Sequence, residues 1–194
     1  MRTLRTQRLR LTPVSVQNAR ALWRILQAPA LRDFQDLPSA GMEEFTSMVS
    51  KRPKALRPGA SGRFEWLVYL QGGRSPLGWL SLRVSERGLR AGEIGYSVMR
   101  EHRDRGIATE AVRALVDEAF QQGEVERLSA YCVPENAASR RVLDRLGFRD
   151  AGLVHHGASV GGQPVDVLHH VMDRGEWSRR QSANSIEMPA SAYP

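Results

Sequence analysis

Between residues 92 and 122 the chain reads GEIGYSVMREHRDRGIATEAVRALVDEAFQQ, and its hydrophobic period changes once along the way. Ile94, Tyr96 and Val98 alternate with Glu93, Gly95 and Ser97, as in a strand with two unlike faces. From Ala108 onward, Ala111, Val112, Leu115, Val116, Ala119 and Phe120 recur at three- and four-residue steps, the spacing of one helix face. Glu110 and Arg113 lie one turn apart on the polar side, where they are expected to pair. The charged segment RDRGIA, residues 103–108, joins the two elements. A strand that turns this tightly into a helix directs several backbone N–H groups at one point, on the positive end of the helix dipole. That is an anion site. Gly106 lets an anion approach the backbone, because it has no side chain in the way.

The rest of the chain supplies neighbours for this unit. Residues 6–13 read as a first strand, and Ser15 is placed to cap a helix carrying Ala19, Leu22, Trp23, Leu26 and Ala28, ended by Pro29. A short helical turn is expected over 31–37 and a helix over 42–51, with Phe45 and Met48 or Val49 inward. Residues 52–63 are rich in Pro, Gly and Arg and read as a loop. Strands over 64–70, 77–84 and 91–99, joined by turns at 71–74 and around Gly88, make an antiparallel meander. The strand at 127–133 returns by a helical crossover and should be parallel to the strand at 91–99. A helix follows from Asn136, with Ala138, Val142, Leu143 and Leu146 toward the core and Gly147 as its left-handed stop. Last come strands over 149–155 and 165–172, joined by a Gly-rich loop at 157–164, and a short helix over 174–179 containing Trp177. Residues 1–180 read as one domain, and 181–194 as a disordered tail.

Composition narrows the function. The 194 residues suit one domain with a sizeable core. No apolar run is long enough to span a membrane, and the first 13 residues, with four arginines, lack the apolar core of a secretory signal. Cys132 is the only cysteine, which excludes an internal disulfide and fits the reducing cytoplasm. The net charge of +7 comes almost wholly from arginine, Lys51 and Lys54 being the only lysines. Because the arginines are scattered, a solvated surface accounts for them better than attraction to an anionic partner such as a small phosphorylated molecule or a ribosomal surface. His155-His156 and His169-His170 do not suggest a metal, since neighbours on a strand point to opposite faces.

Two blocks carry a resemblance. Arg103-x-x-Gly106-x-Ala108 resembles the (Gln or Arg)-x-x-Gly-x-(Gly or Ala) turn of the GNAT superfamily of N-acetyltransferases. Pro134-Glu135-Asn136-x-x-Ser139, followed by Leu146-Gly147-Phe148, resembles the P-x-N-x-x-S…L-G-F block of its RimJ/RimL-like subgroup, which modifies ribosomal protein N-termini. The resemblance runs from about Thr6 to Trp177. It implies an α/β (α+β) GNAT fold: a mixed, mostly antiparallel twisted sheet of six or seven strands, with helices on both faces. It also implies that the strand at 91–99 splays from the strand at 127–133.

In such proteins acetyl-CoA is the co-substrate. By resemblance, Tyr96, Ser97 and Val98 would lie along pantetheine, and Arg103 with the amides of Asp104, Arg105, Gly106, Ile107, Ala108 and Thr109 would hold the pyrophosphate. Asn136 would hold the cofactor arm or the splayed strand end; its plainer reading is a helix N-cap, and a cap can serve both ends. A backbone N–H near Val98 would polarise the thioester carbonyl.

Related enzymes place a tyrosine acid seven residues after the asparagine, where this chain has Leu143. The resemblance to the RimJ/RimL-like subgroup suggests Ser139, one turn into the helix, as the replacement that hydrogen-bonds the thiolate; its plainer reading is a solvent-facing helix serine. Glu93, the only carboxylate on the organising strand, and Tyr131 are the candidates for general base, and bulk water is a third.

The implied activity is acetyl transfer to a primary amine, first of all a protein N-terminal α-amine. The alternatives are a small-molecule acetyltransferase acting on an antibiotic or polyamine, and a non-catalytic CoA-binding module. The expected partners are acetyl-CoA and the amine, with no metal, membrane or direct nucleic-acid contact; a homodimer stays open.

Overall fold

The computed structural model describes residues 1–31, 34, 36, 40–85 and 90–186. The strands are β1 (Leu4–Arg5), β2 (Leu9–Pro13), β3 (Gly62–Leu70), β4 (Gly78–Val84), β5 (Ala91–Val98), β6 (Arg127–Cys132), β7 (Arg149–Val160) and β8 (Gln163–Asp173). They form one sheet in the order β1-β2-β3-β4-β5-β6-β8-β7. The helices are α1 (Ala19–Leu26), α2 (Met42–Ser50), α3 (Ile107–Gln122), α4 (Ala137–Leu146) and α5 (Arg174–Ile186). Short 3-10 turns occupy Pro29–Leu31 and Arg100–His102.

Among the described residues only β5 and β6 pair in parallel, and α3 is the crossover between them. All other neighbours are antiparallel. The eighth strand beyond the expected seven is β1, a two-residue pairing of Leu4 with Leu11 and Arg5 with Arg10 that is too short to carry a periodic signal.

Both faces of the sheet are covered, which is why β3 is buried almost along its whole length. Phe64, Trp66 and Val68, with Leu80 and Leu82 of β4 and Ile94 of β5, meet the apolar stripe of α3 and Leu143 and Leu146 of α4. Leu67, Tyr69 and Trp79 point the other way, against Ala19, Leu22, Ile25 and Leu26 of α1 and Phe45 and Val49 of α2. Alternation in the strands thus sorts the molecule into an α3/α4 face and an α1/α2 face.

Several local expectations are corrected. α1 has Asn18, not Ser15, at its N-cap; Asn18 Oδ1 instead accepts from the Ser15 N–H at 2.8 Å. α1 also ends at Leu26, before Ala28. Ala138 is exposed, so Val142, Leu143 and Leu146 form the inner side of α4. Glu110 pairs with Arg8 of the β1–β2 turn, not Arg113. The 157–164 loop is absent as such: β7 and β8 form one long hairpin that turns on Gly161 and Gly162, both at positive φ, the conformation a two-residue hairpin turn requires. The last helix runs on to Ile186. Trp177 anchors it, with its ring 5.4 Å from Phe120 and its Nε1 donating to Asp117 at 2.7 Å. The turn around Gly88, most of 31–37 and the end of the chain from 187 lie outside the described residues.

Candidate active site

The site begins where the sheet stops pairing. β5 and β6 are in register from Ala91–Arg127 to Ile94–Ala130 and no further. Yet β5 stays paired with β4 as far as Val98, and β6 with β8 as far as Cys132. Residues 95–98 and 131–132 therefore border an opening in the middle of the sheet. Met99 N–H donates to Leu77 O on the β4 side at 2.9 Å. The N–H of Val98, one residue earlier in an extended strand, consequently points toward the opening. On the β4 side the fit is close: a Cβ on Gly78 would stand 2.5 Å from Ser97 O.

Beyond β5 the turn takes an unusual path. Asp104 has φ +58° and Gly106 φ +73°, so two left-handed residues bracket Arg105. Gly106 is the N-cap of α3 and no side chain caps the helix, leaving the first-turn amides without a capping acceptor. A Cβ on Gly106 would meet Arg8 Nη2 at an ordinary 3.4 Å, so glycine is required by the backbone angle rather than by lack of space. The turn is braced from behind: Arg8 Nη1 donates to Arg105 O at 3.0 Å and Arg8 Nε to Glu110 at 2.6 Å, while Thr6 Oγ1 donates to Glu110 at 2.5 Å. The Arg103 side chain folds back to donate from Nε to Val98 O at 3.0 Å, so it fixes the end of β5. A cavity of about 470 Å³ opens beside Gly106 and Thr109, and Arg5, Arg113 and Arg145 contribute positive charge to its wall.

At the other side of the opening stands the first turn of α4. Asn136 Oδ1 accepts from Ser139 N–H at 3.0 Å, which caps the helix and leaves the Asn136 side-chain NH₂ pointing elsewhere. Ser139 Oγ lies 2.8 Å from Tyr96 Oη, which is also 3.2 Å from the Ser139 carbonyl. Burial pushes the Tyr96 phenol far above its ordinary value, so it is protonated at neutral pH. Burial likewise raises the Cys132 thiol, partly offset by a hydrogen bond with Ser139. Tyr96, Cys132 and Ser139 thus converge on one spot at the α3/α4 side of the opening. Leu143 is fully buried in the core. Sequence reasoning placed Tyr96 along the opening but missed its hydroxyl as the partner of Ser139. Strand parity put Tyr96 on the face of Ile94 and Val98, and that was the available signal.

The two candidate bases lie on the opposite face. Glu93 is exposed and stands across from Arg83 on β4 and Ser129 on β6. Tyr131 is 43% exposed and is the first β6 residue on that face beyond the last β5–β6 pair. The structure therefore brings Tyr96, Asn136 and Ser139 together and sets Glu93 and Tyr131 apart from them, across the thickness of the sheet. The same face holds a buried carboxylate that sequence reasoning missed. Glu65, 1% exposed, accepts from Trp79 Nε1 and Arg63 Nε, each at 3.0 Å, and is ion-paired with Arg52. Burial, with Arg63 close by, pulls the Arg52 guanidinium down to about 10.

Residues 8–149 match the family model described as an acetyltransferase (GNAT) domain. An uncharacterized N-acetyltransferase of Bacillus licheniformis is 27% identical over 92% of this chain and 99% of its own length. The ribosomal-protein-serine acetyltransferase of Escherichia coli is 33% identical over 37% of this chain and 40% of its own. Among solved structures, RimJ of Mycobacterium smegmatis in complex with CoA-disulfide superposes with a TM-score of 0.75 at 26% identity, covering 91% of this chain and 89% of that one. With the family model spanning most of its length, the chain belongs to the GNAT acetyltransferases, enzymes that take their acyl group from acetyl-CoA.

Proposed function

We propose that the protein transfers the acetyl group of acetyl-CoA directly to the α-amine of a peptide or protein N-terminus. The observation that carries this reading is the opening between β5 and β6, with a Ser139–Tyr96 hydroxyl pair on one side and a separate polar face on the other. The pantetheine arm would run along the free edge of Tyr96, Ser97 and Val98. The amides from Asp104 to Thr109 would take the pyrophosphate, and the arginines of the neighbouring cavity the remaining nucleotide charge. Arg103 would contribute through its backbone, since its side chain holds Val98 O. Asn136 would serve both as cap and, through its NH₂, as a donor to the cofactor arm.

In this reading Val98 N–H polarises the thioester carbonyl, and the amine attacks from the α1/α2 face. The departing thiolate accepts a hydrogen bond from Ser139, itself fed by the protonated Tyr96 phenol. A serine hydroxyl alone is a poor acid, and the Tyr96 contact supplies what the leucine at 143 does not. An α-amine suits direct attack better than a lysine amine, because its pKa of about 8 leaves more of it neutral at pH 7. The N-terminal preference draws on the ribosomal-protein acetyltransferases among the relatives. The lone buried cysteine fits a reducing cytoplasm.

The test is thiol release from acetyl-CoA over a panel of peptides with free N-termini, N-terminally blocked peptides containing lysine, aminoglycosides and polyamines. Turnover of the free N-termini is expected. Turnover confined to aminoglycosides or polyamines contradicts the acceptor class, and none at all with CoA still bound points to a binding module.

A further inference from the structure

On the α1/α2 face, next to the opening, three side chains from two strands form a compact array. The His169 and Tyr131 rings are stacked, with centroids 4.6 Å apart and planes at 11°. His169 Nε2 lies 3.0 Å from Ser129 Oγ. Ser129 is in register with Glu93 on β5, and Tyr131 borders the unpaired stretch of β6, so the array sits at the point where β5 and β6 part. Its neighbour His170 points to the other face and is buried. The imidazole is thus oriented by one hydrogen bond and one stack, on the side from which an amine reaches the opening.

We propose that His169 takes the proton lost by the attacking amine. This rests on the acetyltransferase reading above and replaces Glu93 as the base. In the step, the amine nitrogen bonds to the acetyl carbon, the carbon–sulfur bond breaks, the sulfur leaves with the electron pair toward Ser139, and the amine proton passes to the imidazole. Ser129 and Tyr131 are positioning residues that hold the ring.

Charge supports the assignment. Burial, with His170 and Arg127 adding to it, holds the imidazole below the ordinary histidine value, so it is neutral and able to accept a proton at pH 7. The groups around it are His170 and Asp173 on its own strand, Arg127 and Tyr131 on β6, Glu93 on β5 and Arg149 on β7, while Asp150, in register with His170, lies on the opposite face. Of these, Asp173 is bound to Arg127 at 2.6 Å and to Arg149 at 3.0 Å, and Arg149 also holds Glu176 at 2.5 Å. Glu93 faces Arg83 and acts on Arg63, a cationic neighbourhood that competes for its carboxylate.

The experiment measures kcat and kcat/KM against pH for wild type, His169→Asn and His169→Phe on the peptide panel, with acetyl-CoA affinity by calorimetry. Phe retains a stacking ring but no base. Both variants should lose kcat by on the order of a hundredfold with cofactor affinity unchanged. They should also lose the acidic limb that wild type shows below the ordinary histidine value, and added imidazole should restore part of the rate. Rates within about twofold of wild type in either folded variant, or a reduced rate that keeps the acidic limb, overturn the assignment of His169. A wild type that turns over none of the amines overturns the acetyltransferase reading itself.

Discussion

The phenolic oxygen of Tyr96 lies 2.8 Å from Oγ of Ser139, so that β5 and the first turn of α4 are joined at the edge of the β5–β6 opening. The contact pairs a hydroxyl that burial keeps protonated with one that is well placed to meet a leaving sulfur. Tyr96→Phe and Ser139→Ala should each lower kcat roughly tenfold to a hundredfold, equivalent to about 1–3 kcal/mol, with little change in acetyl-CoA affinity. If the two hydroxyls act in series, the double variant should be hardly slower than either single one. Steady-state kinetics on all four proteins checks this, and fully additive losses would mean that they act independently.

The anion turn makes a separate prediction. At φ +73° Gly106 occupies a conformation that side chains rarely adopt, at the uncapped start of α3. Gly106→Asp adds both strain and a like charge where phosphate oxygens are proposed to sit. Calorimetry should show CoA binding lost while circular dichroism keeps the wild-type spectrum; an unchanged affinity would remove the turn from the cofactor site.

Glu110 gives the turn a pH signature. Burial alone would raise its pKa, but hydrogen bonds from Thr6, the Arg8 N–H and the Arg8 side chain, with the Arg8 charge, outweigh it and hold the carboxyl below its ordinary value. A depressed folded-state pKa means that this stabilisation is fully present above the unfolded value, about 4.3, and is lost as pH falls through the lower folded value. Glu110→Gln should therefore melt at lower temperature than wild type at pH 7, with the gap closing below about pH 4. Thermal melts across pH measure it, and a gap independent of pH would assign the effect to packing.

Much of this architecture can be read from the sequence, for physical reasons specific to each part. The β5–α3 unit is legible because its period switches once and its turn carries a glycine, which adopts a left-handed backbone without strain. Asn136 and Gly147 are legible as the cap and stop of α4 because each satisfies orphan backbone groups in a way few residues can. The β7–β8 hairpin is longer than the sequence suggests because the Gly-rich stretch 157–164 reads as a loop. In the structure the ladder shifts register between Val154 and Ala158, beside Gly157, and Pro164 pairs with Ser159 next to the turn. Asp36 then ties down the tip by accepting from Ser159 Oγ, Gly161 N–H and Gly162 N–H. The His169–Ser129–Tyr131 array was out of reach, since β8 enters the sheet between β6 and β7 and only that order brings His169 beside Tyr131.

The close passage of β4 along β5 is open to test as well. A methyl at Gly78 would stand 2.5 Å from Ser97 O, so Gly78→Ala must push apart the strands that define one edge of the opening. A loss of about 1–3 kcal/mol is expected, the range of an overpacked core. Urea denaturation would measure it, and wild-type stability would show that β4 can yield at no cost.

The account turns on where the cofactor's sulfur lies, and a crystal structure with CoA measures that position. Pantetheine is predicted between β5 and β6, with the pyrophosphate on the amides around Gly106 and the sulfur within about 4 Å of Ser139 Oγ, the reach of a hydrogen bond to sulfur. CoA bound elsewhere, or in the opening with its sulfur turned toward the α1/α2 face and away from Ser139 and Tyr96, would contradict the account.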